Sequence, residues 1–542
     1  MIAPNLKKPE IISKNVLLIR KMIVLCFNLV LCANVFGIPS TFNITDYGAK
    51  GDGSTLNTKF IQSAIDDCSK AGGGTVNFPA GRYVSGTLFL KSHVTLNLEA
   101  GAILEGSKNL SDYPVTVSNI RSYTDSYTNK SLIYGDGLEN IAITGHGTLD
   151  GNGAAFDEVT HELMKKNLSE SYKIRPYMIR IINCKDILIR DVTILNSPMW
   201  VQHYLLCEDV NIEGITVNSR VNHNNDGIDI DACNRVRISN CDIISGDDAI
   251  VLKSTLDVPC KNIVVTNCNI SSNCNAFKLG TETNGGFENI TFSNSTIYDT
   301  GISGITLQMV DGGTLDRVSI SNITMTNVSN AIFIRLGNRA RVFKENMPKP
   351  GMGKMSNIII SNIQGDKIGN TGCSITGLPS FPVKNITLEN IRFSFKGGGT
   401  KDLVDLEIPE NPEKYPEQSM FGKLPAYGFY CRHLENMTFN DIELDFSSPD
   451  ARPAIICDDV AGLELYKIKA RIIDNEALLR FKDVQNVMVQ SCIAPRGLNT
   501  FLKLTGTKND QITLMGNDLS GAKNPVEKEG NVSVFLDNNR MK

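Results

Sequence analysis

The sequence predicts an all-β fold, a single-stranded right-handed parallel β-helix with an N-terminal capping helix, and three observations carry that expectation. A short apolar-x-apolar pair recurs at Ile187/Ile189, Val210/Ile212, Val236/Ile238, Ile263/Val265, Ile290/Phe292 and Val318/Ile320. From Val210 to Val318 the steps are 26, 27, 27 and 28 residues, and self-similarity at such a period marks a solenoid. The units are short alternating runs rich in Ile, Val and Thr, broken by Asn, Gly, Ser and Asp, with almost no helical periodicity.

Further copies begin at Ile358, Ile386, Met437 and Leu463, and the long steps Val318 to Ile358 and Ile386 to Met437 carry Pro- and Gly-rich insertions. The one convincing helix lies near the start. Phe60, Ile61, Ala64 and Ile65 have helical spacing and Gly72 to Gly74 end it. Such a helix would cap a first coil that otherwise exposes unpaired strand edges. An ordinary chain of 542 residues would split into several domains. A solenoid escapes that limit because each coil touches only its neighbours, so residues 38–542 are expected to form one catalytic solenoid.

Residues 1–37 read as a leader. The apolar run MIVLCFNLVLCANVFG (22–37) follows Arg20 and Lys21 and ends in small residues. Export is expected, with Met22 a candidate start and the mature chain beginning near Ile38. A membrane anchor is the competing reading, but the run is shorter than the ~20 residues a spanning helix needs. The net charge of −4 and pI near 6.0 argue against a nucleic-acid partner. Of fourteen cysteines, Cys241 and Cys268 sit five residues after their anchors, at an inward position where other coils carry Val192, Ile215 and Ile323. They read as buried thiols, with one or two bridges as the alternative. Zinc is not expected, since the spacing is that of the coil and no His accompanies it. Sequons such as Asn43-Ile44-Thr45 and Asn322-Ile323-Thr324 read as turn Asn followed by strand Thr.

Coils stack at the inter-strand spacing of about 4.8 Å, so residues at one phase of successive repeats become neighbours. Asp226 and the pair Asp247/Asp248 lie one repeat apart, and Asn275 and Thr306 continue the same side. This places three acids on one face of a long groove. A long groove on one face is what a polymer substrate needs, and grouped carboxylates suit general acid and base work. Crowding raises at least one pKa. The competing reading is that turn-rich repeats scatter Asp at loop ends to satisfy backbone amides, and Asp229 and Asp231 are assigned that role.

Four segments together, GHGTLDGNG (145–153), NSPMWVQH (196–203), NNDGID (224–229) and SGDDAIVLKS (245–254), resemble glycoside hydrolase family 28, the polygalacturonases, over about residues 42–490. The resemblance implies hydrolysis of α-glycosidic bonds in pectin with inversion, and Asp226, Asp247 and Asp248 as the catalytic acids. Asp247 is assigned as general acid, with Asp226 and Asp248 holding the water. An inverting pair is expected to be roughly 6.5–9.5 Å apart. No cofactor or metal is called for, and a monomer acting on a pectic poly- or oligosaccharide is expected.

Two departures bear on substrate. The family's Gly-His-Gly aligns with Cys274-Asn275-Ala276, and its Arg-Ile-Lys, which clamps galacturonate carboxylates, aligns with Thr306-Leu307-Gln308. Thr and Gln cannot supply the charge of that clamp, so exo attack on rhamnogalacturonan stands beside exo attack on galacturonan. Substrate contacts are expected from His203, His223, Asn225, Lys253, Asn275, Lys278 and Glu282, although Lys253 and Lys278 would equally neutralise an acidic groove. Trp200 is either a sugar platform or a groove-wall residue. The insertion 156–173 and the loop at 335–343 are expected to close groove ends. Two alternatives remain: a calcium-dependent β-helix lyase, for which Arg235 or Arg237 would be the base, and a non-catalytic binding solenoid.

Overall fold

The computed structural model describes residues 40–120, 127–342, 346–473 and 476–542; the leader lies outside them. Strands from Thr41–Asn43 to Val534–Asp537 form one ladder of parallel pairs, a right-handed parallel β-helix. The expected anchors fall in a single register. Ile187 pairs with Val210, and the line continues through Val236, Ile263, Ile290, Val318, Ile358, Ile386, Met437 and Leu463. All are at most 2% exposed, so the 27-residue period of the sequence is the circumference of one coil around one apolar core.

The capping helix is α1 (Thr58–Lys70), which buries Ile61, Ala64, Ile65 and Cys68 over the strands Thr41–Asn43 and Gly74–Phe78. Chain reversal at the coil corners falls to asparagine. Asn234, Asn262 and Asn289 are joined side chain to side chain at 2.9 and 3.0 Å, and Asn322, Asn362 and Asn390 at 3.0 and 2.8 Å. Apart from Asn234, each has φ between +49° and +57°, a conformation Asn tolerates better than most residues. The sequon asparagines Asn289, Asn322, Asn385 and Asn436 are of this kind. The twelve described cysteines are all free, and Cys241 and Cys268 are buried as expected. No helix among the described residues is long and apolar enough to cross a membrane.

Two excursions leave this regular frame on the same face. Helices α2 (Asp157–Lys166) and α3 (Leu168–Lys173) fill the insertion expected at 156–173. A longer one runs between the strands Val383–Gly397 and Phe429–Ser448. Its Ile408, Met420, Phe421 and Leu424 pack on the outward-facing Phe333, Tyr430 and Ile456. Each such buried side chain contributes about 1.5–3 kcal/mol, enough to hold the excursion against the groove floor.

Candidate active site

Asp226 leads into the strand Ile228–Asp231, and Asp247 and Asp248 precede the strand Ile250–Ser254 on the next coil, with Ile228 opposite Ile250. Gly227 permits the close stacking, because a Cβ there would lie 2.5 Å from the Ala249 carbonyl oxygen. One carboxylate oxygen from each of Asp226, Asp247 and Asp248 lies within 4.8 Å of the others. These are separations of the nearest oxygens, whereas the 6.5–9.5 Å expected of an inverting pair is measured between whole carboxyl groups. The oxygens are close because of the stacking itself: acids in register on adjacent coils sit one inter-strand spacing apart. Two oxygens at this separation can share a water at about 2.5–3.0 Å from each.

The three acids are held differently. Asp248 accepts hydrogen bonds from Lys278 Nζ at 2.8 Å and from the Asn275 side chain at 2.7 Å. Burial pushes its carboxyl up, but Lys278, Lys253 and these hydrogen bonds outweigh burial and hold it below the usual carboxylate range. Asp247 is pushed the other way, by burial and then by the Asp248 charge. Asp226 is raised furthest, again by burial and then by Asp247 and Asp229, and its Oδ1 accepts no hydrogen bond. The cluster titrates as a unit, so these are directions within a coupled set. They set Asp248, which is lowered, apart from Asp247 and Asp226, which are both raised.

Behind the acids lies a second layer of charge. Lys253 Nζ is 3.4 Å from Glu282, 3.6 Å from Asp229 and 3.9 Å from Asp226, and stands 4.7 Å over the Trp200 ring. Burial raises the Glu282 carboxyl, but Lys253, Arg339 and Arg341 bring it down to about 2. Asp231 has the structural role expected of it, accepting from Thr255 N at 2.8 Å and Thr255 Oγ1 at 2.6 Å. Asp229 does not: neither oxygen accepts a hydrogen bond, and its neighbour is Lys253. The backbone amides it was expected to satisfy are taken by the strand ladder.

Most residues expected to touch sugar turn inward to the protein. Asn225 is fully buried, donating to the Ser197 and Met199 carbonyls. His203 is fully buried, with Nε2 3.3 Å from Asp231. Both are corrected from substrate contacts to supports of the chain that carries Asp226. Asn275 and Lys278 orient Asp248, and Lys253 and Glu282 neutralise one another. His223 is half-buried, its Nε2 3.1 Å from Nε2 of His161 on α2. Trp200 is a wall residue, packed with Tyr177 and Met199. Thr306 donates to the Asn275 side-chain oxygen at 2.9 Å, and Gln308 donates to the Pro416 carbonyl at 2.5 Å. Arg235 pairs with Glu208 and Asp209 on an exposed surface, away from the acids.

Walls stand on both sides of the acids. Upstream, Tyr172 of α3 packs tilted against Tyr127, ring centroids 4.7 Å apart, and the charges of Asp247 and Asp226 help burial and Tyr127 raise its phenol. Buried Arg175 donates to the His223 carbonyl and to Asn224 Oδ1, fixing the segment just before Asp226. Downstream, the long excursion brings in Tyr415, whose hydroxyl accepts from Thr281 at 2.9 Å while half its surface stays open. Glu417 follows, its carboxyl raised by burial against the pull of Lys278, with Asp248 and Asp247 adding to the rise. The closing segment was expected at 335–343, whose last residue lies outside the described ones. There Arg339 instead pairs with Asp311 behind the wall. The 51-residue step from Ile386 to Met437 was the only sign of Tyr415 and Glu417 in the sequence.

Comparison with known proteins agrees with this geometry. The model of glycosyl hydrolases family 28 matches residues 68–408. A probable polygalacturonase of Vitis vinifera is 31% identical over 371 residues, covering 64% of this chain and 73% of its own. An exo-poly-α-D-galacturonosidase of Dickeya chrysanthemi is 29% identical, over 55% of this chain and 57% of its own. Among solved structures, an exopolygalacturonase of Thermotoga maritima superposes with a TM-score of 0.57 at 25% identity, covering 67% of this chain and 88% of that one. The family consists of hydrolases, which sets aside the lyase and the non-catalytic solenoid. The matched span holds the acids and the upstream wall, and the chain belongs to glycosyl hydrolases family 28.

Proposed function

We propose that the chain is an exported, monomeric, exo-acting hydrolase of α-glycosidic bonds in pectic polysaccharide. The exo mode rests on one observation. The acids lie between α2/α3 upstream and the Tyr415–Glu417 segment downstream, so a chain end enters where a continuous chain would meet a wall. The pectic substrate rests on family membership and on the relatives' activities. In this reading Asp247 protonates the leaving oxygen, and Asp248, kept ionised by Lys278, takes the proton of a water shared with Asp226. The resemblance implies inversion, and a water lodged between two oxygens within 4.8 Å is compatible with it.

The carboxylate clamp of ordinary polygalacturonases is replaced by Thr306 and Gln308, both engaged inside the protein, which favours a rhamnogalacturonan end over unsubstituted galacturonan. Digestion should therefore release small sugars from the first time points without a fall in polymer viscosity, and faster from rhamnogalacturonan fragments than from polygalacturonan. Proton NMR of the first product should show the β anomer. A rapid viscosity drop on long polygalacturonan would sink the exo and substrate readings together, and an α product would sink inversion. Export has its own check: the secreted protein should begin near Ile38, and an intact Met22 would reject it.

A further inference from the structure

Downstream of the Tyr415 wall the groove face opens again. A cavity of about 390 Å³ lies between the strap Val404–Ile408 and the coils that carry Tyr430, Ile456, Asp458 and Lys482. It is a separate site. In register, Lys278 is followed by Thr306, Phe333, Ser374, Tyr430 and Ile456. Lys278 is itself one coil beyond Asp247 and Asp248, so Ile456 is six coils from that pair, or about 29 Å at the inter-strand spacing, with the Phe421 and Met420 packing between.

The strap is built in. Arg480 donates to the Val404 carbonyl at 3.1 Å and to Asp405 at 2.8 Å, and Arg432 donates to the Ile408 carbonyl at 2.7 Å. What these bonds leave over is unusual. Asp458 is only 17% exposed, and its nearest cations, Arg432 Nε and Lys482 Nζ, stand off at 3.6 and 3.7 Å. It accepts no hydrogen bond from the described residues, and burial raises its carboxyl above the usual range. A carboxylate so placed is costly unless something donates to it. Lys482 keeps 54% of its side chain exposed and can meet an anion. Leu406 and Ile456 offer an apolar face beside them.

An acceptor for hydroxyls, a cation for a carboxylate and an apolar face for a ring are the three chemistries of a uronic acid residue. We propose that this cleft is a second saccharide site that holds a uronate-bearing stretch of a pectic chain while a chain end is cut at the acids. The inference rests on the pectic reading of the active site for the identity of its ligand. The wall between the two sites means that one straight oligosaccharide cannot span them, so the cleft tethers polymer and is not a subsite of the reaction.

The test is calorimetric titration of Asp247→Asn, which should bind without turnover, using short rhamnogalacturonan and galacturonan oligosaccharides and a neutral glucan as control. Two sites per chain are expected for an acidic oligosaccharide. Adding Lys482→Glu, a change at a half-exposed side chain whose fold is checked by an unchanged melting temperature, should remove or weaken one of them at least tenfold, and Asp458→Asn should do the same. Two sites indifferent to Lys482→Glu, a single site indifferent to it, or equal binding of the glucan would overturn the cleft. A single site abolished by Lys482→Glu would keep the cleft and sink the active-site reading instead.

Discussion

Asp247→Asn is expected to lower kcat by at least ~10²-fold, the lower bound for losing a general acid, with no loss of thermal stability. An amide fills the same space as the carboxyl but cannot deliver a proton to the leaving oxygen. Stability follows from the direction of the shift. Burial and the Asp248 charge raise the Asp247 carboxyl, so the folded state favours its neutral form. A carboxyl whose folded pKa exceeds its unfolded value costs stability once pH rises above the unfolded value, and a neutral Asn removes that cost. The wild-type kcat/KM profile should be bell-shaped, with the alkaline limb set by loss of the proton on the Asp247 side of the cluster. In the variant the residual rate should lose that limb. Turnover within tenfold of wild type, or an alkaline limb that persists unchanged, would place the acid elsewhere, with raised Asp226 the first candidate.

The same acids show what a sequence can and cannot convey about this site. Their shared face was legible because period and register are one quantity in a β-helix: Val210, Val236 and Ile263 repeat at the coil length, so residues at one phase must stack. The asparagine corners were legible as turn residues for the same reason. Separations within the cluster were not, because the pleat and the Gly227 contact set them on a scale finer than the repeat. Nor were the roles of Asn225 and His203. Polar residues beside catalytic acids look like substrate contacts in a sequence, and only burial distinguishes a support from a contact. Of the Tyr415–Glu417 wall the sequence showed only the long step from Ile386 to Met437. The wall comes from an excursion with no repeat, attached by Phe421, Met420 and Leu424 to coils more than fifty residues away in some cases, such as Phe333.

Lys278→Met separates the two roles that sequence left open for this lysine, a carboxylate partner or a ligand for sugar. Lys278 Nζ and Asp248 Oδ2 are 2.8 Å apart, each side chain 4% exposed, and removing one partner of such a buried pair costs about 3–5 kcal/mol. Methionine keeps the length and the apolar stem and deletes only the charge. Because Asp248 is held below its unfolded value, its contribution is fully present above the unfolded pKa and fades as pH falls through the folded one. The gap in melting temperature between wild type and variant should therefore be widest near neutral pH and close in acid. Without the ammonium, burial and Asp247 act on Asp248 with less opposition and its carboxyl rises. The acid limb of kcat/KM should move to higher pH, and kcat should fall most at the acid end of the profile. A variant whose KM for the pectic substrate rises while its acid limb and the pH dependence of its melting stay in place would return Lys278 to the substrate, and with it the charge that Thr306 and Gln308 lack.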